Sequence, residues 1–373
     1  MRNALYLTFA AFGLLWGSCQ SSDPSAENAA GPEVVSEAPS RLSLTANIDY
    51  LRIRKEPGQN GEVVGDVSVG DSLFYLGEVS AFTTRVKLRG IWFDEPWIKV
   101  ERVDGLQGWV YAGGLNIDLD GTSELARRIL EQRLSTFFSP ALARSALDYR
   151  RAYEQASTAE ELAAAFRHGS RLRDSLNAVL EKRVEPAGSE ESPDLSWLEG
   201  VLPGYLLQLV AEGTQYHLFQ DYRALLRRAD RTPGREDDQF AALMAAVFPI
   251  DSIEHFYPAW FLQTWDYGGH SELGKGVHRQ LLDRMNRTLA ASNLFEPEIE
   301  AYKDRLLEDI LEGNEYWYDQ PAILQEIDQI LQANFGILSE EDRTALQRRR
   351  AQFADPGAHG IELNFRSGEH GDR

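Results

Sequence analysis

Between residues 41 and 119 apolar side chains alternate with polar ones and are cut by glycine or proline about every 8–12 positions, the pattern of short antiparallel strands. Tyr50-Leu51-Arg52-Ile53-Arg54 alternates with period two, and the turn-rich run from Glu56 to Gly61 follows it. Further strands are predicted over Glu62 to Val67, Asp71 to Leu76, Pro96 to Val100 and Gly105 to Tyr111. From Gly121 onward the apolar spacing changes to i, i+3, i+4, which is helical. Ser139-Pro140 opens one helix, and Thr158 with Glu161 forms a capping box before Leu162 and Phe166. Similar stretches recur near 197–229, 237–248, 273–291, 297–312, 320–334 and 340–353, about nine or ten helices in all. No fixed repeat of 34 or 40 residues is found, so a solenoid is not expected. The pattern gives a multidomain chain, a small all-β barrel at 41–119 followed by a larger all-α domain at 120–354. The polar run 185–194, with Pro186, Gly188 and Pro193, subdivides that domain, and 355–373 reads as a flexible tail.

The strand region resembles the bacterial SH3-like domain family. The residues that carry the likeness are Leu51-Arg52-Ile53-Arg54 before Pro57, Val64-Gly65, Val69-Gly70-Asp71, Trp97-Ile98-Lys99-Val100, and Gly108-Trp109-Val110 ahead of Leu115. Where the family has a short turn, this chain has Gly77 to Pro96, which predicts an extra hairpin or a long exposed loop. The resemblance implies a non-catalytic barrel that binds cell-wall peptide, glycan or a protein segment beside a second domain.

The first forty residues read as an address. Arg2, the apolar run Ala4 to Leu15 and the small residues Gly17-Ser18 form a signal peptide over 1–18, too short to span a bilayer. Cys19 follows at once, and the arrangement resembles the lipobox of bacterial lipoproteins, with Trp16 standing where that family has leucine. The resemblance implies acylation of Cys19, membrane attachment through the N-terminal lipid, and a place in the cell envelope. Residues 19–40 are rich in Ser, Ala, Glu, Pro and Gly, a disordered tether that would hold the next domain on the order of 25 Å from its anchor.

Composition narrows the partners. The chain of 373 residues carries 58 acidic and 38 basic side chains, a formal net charge of -20, and is 43% hydrophobic. Residues 120–373 hold 43 of the acids and 28 of the bases, so the helical domain carries most of the acidity. Nucleic acid is excluded as a partner, because a phosphate backbone must be met by clustered Lys and Arg. A single cysteine excludes an intrachain disulfide and any Cys-rich metal or iron–sulfur site.

Two places offer side chains suited to recognition. Trp92, Phe93 and Trp97 lie within six positions in and beside the inserted segment, and aromatic faces suit sugar rings and extended peptides; the same residues also fit a barrel core. Tyr257, Trp260, Trp265 and His270 form the densest aromatic stretch and are candidates for a groove in the helical domain, with Gly268-Gly269 shaping the loop; here too a core packing fits the spacing. His255, His270 and His278 with Glu254 and Glu272 lack paired metal-ligand spacing, so neither a metal nor another cofactor is expected. Glu296, Glu298, Glu300, Glu308 and Asp309 read as a solvated helix face. No Gly-x-Ser-x-Gly elbow and no phosphate-binding glycine loop occurs. The expected role is non-catalytic: the barrel binds cell-wall peptide, glycan or an envelope protein, and the helical domain is a scaffold or recruits a partner. The alternative is a peptidoglycan or glycan hydrolase targeted by the barrel, its cleft lined by 256–267.

Overall fold

The computed structural model describes residues 42–116, 124–183, 195–210, 215–249, 257–263 and 268–367. Cys19 and the proposed signal peptide and tether, Glu254, His255, Trp265 and the run 185–194 lie outside the described residues.

The N-terminal part is a curled antiparallel sheet of seven strands: β1 (Ser43–Ala46), β2 (Leu51–Arg54), β3 (Val63–Val67), β4 (Ser72–Leu88), β5 (Ile91–Arg102), β6 (Gln107–Tyr111) and β7 (Leu115–Asn116). Their order is β3-β2-β6-β5-β4-β1-β7. The alternation seen in the sequence becomes the inside and outside of this sheet: Leu51, Ile53, Leu73, Ile98, Val100, Val110 and Leu115 are all buried.

The inserted segment is a hairpin. β4 and β5 pair up to Leu88↔Ile91, and the two-residue turn between them is Arg89-Gly90, both with positive φ (47° and 76°). That is the conformation in which a two-residue turn matches the strand twist, and glycine adopts it without steric cost. Register shifts between Tyr75 and Val79 and between Val79 and Thr83 let the long ribbon bend away from the sheet below it.

Nine helices follow among the described residues: α1 (Glu124–Phe137), α2 (Pro140–Gln155), α3 (Ala159–Arg183), α4 (Tyr222–Ala229), α5 (Glu236–Val247), α6 (Val277–Ala291), α7 (Glu296–Glu312), α8 (Gln320–Gln332) and α9 (Glu340–Ala354). Local capping sets several of their ends. The Ser139 hydroxyl accepts from the Leu142 amide ahead of Pro140, and Ser339 and Asp342 form a reciprocal capping box on α9. At α3 the Thr158 hydroxyl accepts from Glu161 N, but the Glu161 carboxylate reaches one residue further back, to Ser157 N at 2.7 Å. Neighbouring helices pack in succession, and one continuous apolar cluster runs from Leu44 in the sheet to Ile361.

Three expectations are corrected. The stretch 197–229 is not mainly helix: it contains the hairpin β8 (Tyr205–Val210) and β9 (Gln215–Gln220), and only α4 is α-helical. Runs such as Tyr205-Leu206-Leu207 and Leu218-Phe219 are apolar and aromatic, and periodicity alone cannot separate a short buried strand from a buried helix. A second small hairpin, β10 (Phe261–Gln263) with β11 (Gly269–Ser271), was also not predicted. The tail is not loose as far as it is described, because Ile361 is buried and the backbone of Glu362 bonds to Asn314 and Tyr316. Asp309 is no surface acid either: it accepts from the Ser271 hydroxyl at 2.5 Å and lies 2.8 Å from Nε2 of the fully buried His278.

Candidate functional site: the β4–β5 hairpin

The hairpin's two faces differ completely in character. Pairing sets Lys87 opposite Trp92 and Arg85 opposite Asp94, and these side chains share one face. On this face Arg85, Lys87 and Trp92 are exposed, Trp92 by 51%. The Arg85 guanidinium lies 4.8 Å from the centre of the Trp92 ring, a cation–π contact on a side chain that stays half exposed. The opposite face carries Val86 with Phe93, Thr84 with Glu95, and Leu88 with Ile91. It packs on α1.

The three aromatic residues singled out in the sequence are therefore separated by the strand alternation. Trp92 stands in solvent, whereas Phe93 (3% exposed) and Trp97 (4%) belong to the core. Phe93 faces α1, with the Arg133 guanidinium 5.2 Å from its ring centre. Trp97 packs edge-on against Tyr111 at 5.6 Å, and its indole N–H donates to the Thr84 hydroxyl at 2.9 Å. The Tyr111 hydroxyl donates to the Thr84 carbonyl at 2.7 Å and is pushed well above its ordinary pKa, by burial first and then by the nearby Glu95 carboxylate. Phe93 and Trp97 thus belong to the packing that positions the hairpin.

The hairpin is fixed on the helices by a buried ion pair. Glu95 and Arg133 are 0% and 5% exposed, and Arg133 also lies 5.7 Å from the Trp197 ring centre. Gln132 adds a side-chain donation to the Asp94 carbonyl at 3.1 Å. Sequence reasoning missed Arg85, Glu95 and Arg133. Arg85 and Trp92 are neighbours only once the Arg89-Gly90 turn fixes the register, and Arg133 reads as one more polar residue on an amphipathic helix.

Residues 49–116 match the bacterial SH3 domain. The match covers β2 to β7 and takes in the whole hairpin. No curated protein and no solved structure matches the chain. Bacterial SH3 domains are associated with binding cell-wall components or proteins, and the inserted hairpin presents exposed aromatic and basic side chains. Phe82, 48% exposed, adds a second aromatic group near Gly58 in the β2–β3 loop of the SH3 domain.

The described residues of the second aromatic candidate gather at the β10–β11 hairpin. Trp260 is 3% exposed, and Tyr257 stacks on Phe261 with ring centres 5.3 Å apart. Gly269 is required by close approach, since a Cβ at this position would lie 2.2 Å from the Phe261 ring. His270 lies between the Phe365 and Trp317 rings, at 4.0 and 6.0 Å, with its Nδ1 3.2 Å from Glu315 Oε2. His278 sits elsewhere, beside Asp309, so the two histidines do not converge on one point. Among the described residues no group of three His, Cys, Asp or Glu side chains is placed to hold a metal ion, and no helix is long and apolar enough to cross a membrane.

Proposed function

We propose that this protein is a non-catalytic cell-envelope lipoprotein whose SH3 domain captures cell-wall peptide or glycan through the β4–β5 hairpin. The observation that carries the reading is Trp92, half exposed within a domain that matches the bacterial SH3 family and braced by Arg85 in a chain with a net charge of -20. An indole offers a flat apolar surface to a sugar ring or a peptide side chain, while Arg85 and Lys87 supply donors and positive charge for the carboxylates of cell-wall polymers. The Arg2 to Cys19 segment supports an N-terminal lipid anchor, and the run 20–40 supports a tether from the membrane toward the wall. The helical domain, bonded to the SH3 domain through Arg133, is its scaffold.

A pull-down on insoluble peptidoglycan tests this reading. The purified protein should co-sediment, Trp92→Ala should lose most of the bound fraction, and Arg85→Gln should lose part of it. Equal sedimentation of the wild type and Trp92→Ala, or none by the wild type, would refute it. Mass spectrometry of the N-terminal peptide tests acylation at Cys19 separately.

A further inference from the structure

The outer edge of the β4–β5 hairpin is open. In the sheet order β4 lies between β5 and β1, but β1 reaches it only from Ser43↔Phe74 to Thr45↔Ser72, with one further bond from Tyr75 N to the Leu42 carbonyl at 2.9 Å. Beyond Tyr75 no described strand pairs with that side of β4, which runs on to Leu88. The middle of the strand is irregular: the register with β5 shifts twice before Thr83, and the Phe82 carbonyl accepts from the Ser80 hydroxyl at 2.6 Å. From Thr83 to the turn, pairing with β5 is continuous.

The turn sets which groups face outward. A two-residue turn makes its flanking residues, Leu88 and Ile91, a hydrogen-bonded pair, and such pairs alternate along an antiparallel ribbon. Val86 with Phe93 and Thr84 with Glu95 are then hydrogen-bonded pairs too. Thr83, Arg85 and Lys87 alternate with them and turn their N–H and C=O groups away from β5 toward the open edge; all three residues are exposed. Pro96, opposite Thr83, fits this phase, since it has no N–H to give to β4. A row of outward backbone groups of this kind accepts an extended chain.

The side chains along that edge select among extended chains. Arg85 and Lys87 project from the same face as Trp92, and neither cation pairs with a carboxylate among the described residues. Glu78 is matched by Lys99 at 2.6 Å. Asp94 lies opposite Arg85 but on β5, so β4 itself stands between it and anything added at the open edge. A second copy of the chain pairing through its own β4 would set these cations against one another, which opposes self-association.

We propose that Thr83, Arg85 and Lys87 take an extended acidic peptide as an added strand. Run antiparallel to β4, as β1 and β5 do, the peptide places one residue opposite Arg85 and another, two positions away, opposite Lys87. Carboxylates at those positions meet the cations while the backbone of the same residues completes the ladder. On the reading that the hairpin is the recognition element, this assigns it a peptide rather than a glycan.

Fluorescence polarisation of the full chain with a labelled, C-terminally amidated Thr-Val-Glu-Val-Glu-Val-Thr peptide tests this. The peptide should bind. Replacing both glutamates by glutamine, or N-methylating both glutamate amides, should each weaken binding roughly tenfold, the first through lost charge and the second through lost ladder bonds. Lys87→Pro removes an outward N–H but no bond to β5, and should weaken binding at least as much while a thermal melt shows that it folds. The N-methylated peptide leaves the protein untouched, so it decides even where Lys87→Pro misfolds. No binding of the parent peptide, equal binding of the glutamine or N-methylated version, or wild-type affinity in folded Lys87→Pro would overturn the proposal. Co-sedimentation with peptidoglycan reports the cell-wall reading separately: sedimentation without peptide binding overturns the added strand alone, and peptide binding without sedimentation overturns the cell-wall reading alone.

Discussion

Arg133 on α1 grips Glu95 on β5 through two hydrogen bonds, Nε to Oε1 at 2.5 Å and Nη2 to Oε2 at 3.0 Å, with both side chains out of solvent. Phe93 and Trp197 supply the aromatic surroundings of the guanidinium. Removing one partner leaves the other charge buried without compensation, so Arg133→Met or Glu95→Leu should each destabilise the protein by about 3–5 kcal/mol. The double variant removes both charges and should recover most of that loss. Urea denaturation of the four proteins checks the cycle, and additive losses would show that the pair is not coupled.

Trp92 and Phe93 are adjacent in sequence and opposite in role. Phe93→Ala should cost about 3–5 kcal/mol, because it empties a buried site against α1. Trp92→Ala should stay within about 1 kcal/mol of the wild type, the loss of an exposed cation–π contact. Thermal melts of both variants decide this, and a large destabilisation by Trp92→Ala would place its indole in packing after all.

Glu326 on α8 caps a helix to which it does not belong. Its carboxylate, 2% exposed, accepts from the backbone amides of Gly274, Gly276 and Arg279, at the start of α6, whose own cap residue is the glycine Gly276. Glu326→Ala would leave these amides without their acceptor and should cost about 2–4 kcal/mol. Glu326→Gln, which keeps one carbonyl acceptor, should cost less. Hydrogen exchange of the three amides should quicken first, and unchanged exchange in Glu326→Ala would count against the cap.

Gly274 itself has φ +105°, and a Cβ there would lie 2.7 Å from Cβ of Tyr318. Gly274→Ala should therefore destabilise by at least about 1 kcal/mol, through both backbone strain and contact. A denaturation midpoint equal to the wild type would contradict this.

His217 gives the fold a definite pH dependence. Its pKa falls from the ordinary 6.5 to about 4 on folding, so between these values the unfolded chain binds more protons than the folded one. The stability it allows is fully present above about pH 6.5 and declines as the pH falls toward 4. His217→Gln should flatten this part of the stability–pH curve. Identical slopes for variant and wild type between pH 6.5 and 4 would mean that His217 is protonated in the fold.

The strands of the SH3 domain were legible because one face of each is buried, so composition alternates with period two and the turns carry glycine. The hairpin was legible only as an insertion, since the register that pairs Trp92 with Lys87 and brings Arg85 beside it is fixed by the positive φ of Arg89 and Gly90. In the helical domain, capping residues such as Ser139 and Ser339 marked helix starts, but Tyr205–Val210 and Gln215–Gln220, six residues each, are too short for periodicity to distinguish strand from helix.

The Glu95–Arg133 clamp also limits how this SH3 domain can be inherited or transplanted. A cassette ending at Asn116 would carry an acid designed for burial, now without its counter-ion, beside Ile91 and Phe93 turned to water, and would be prone to self-association. The smallest exchangeable unit runs from β1 through α1, so the β4–β5 hairpin and the first helix travel as one piece, and recombination between relatives would be tolerated beyond Phe137 rather than at the end of the sheet.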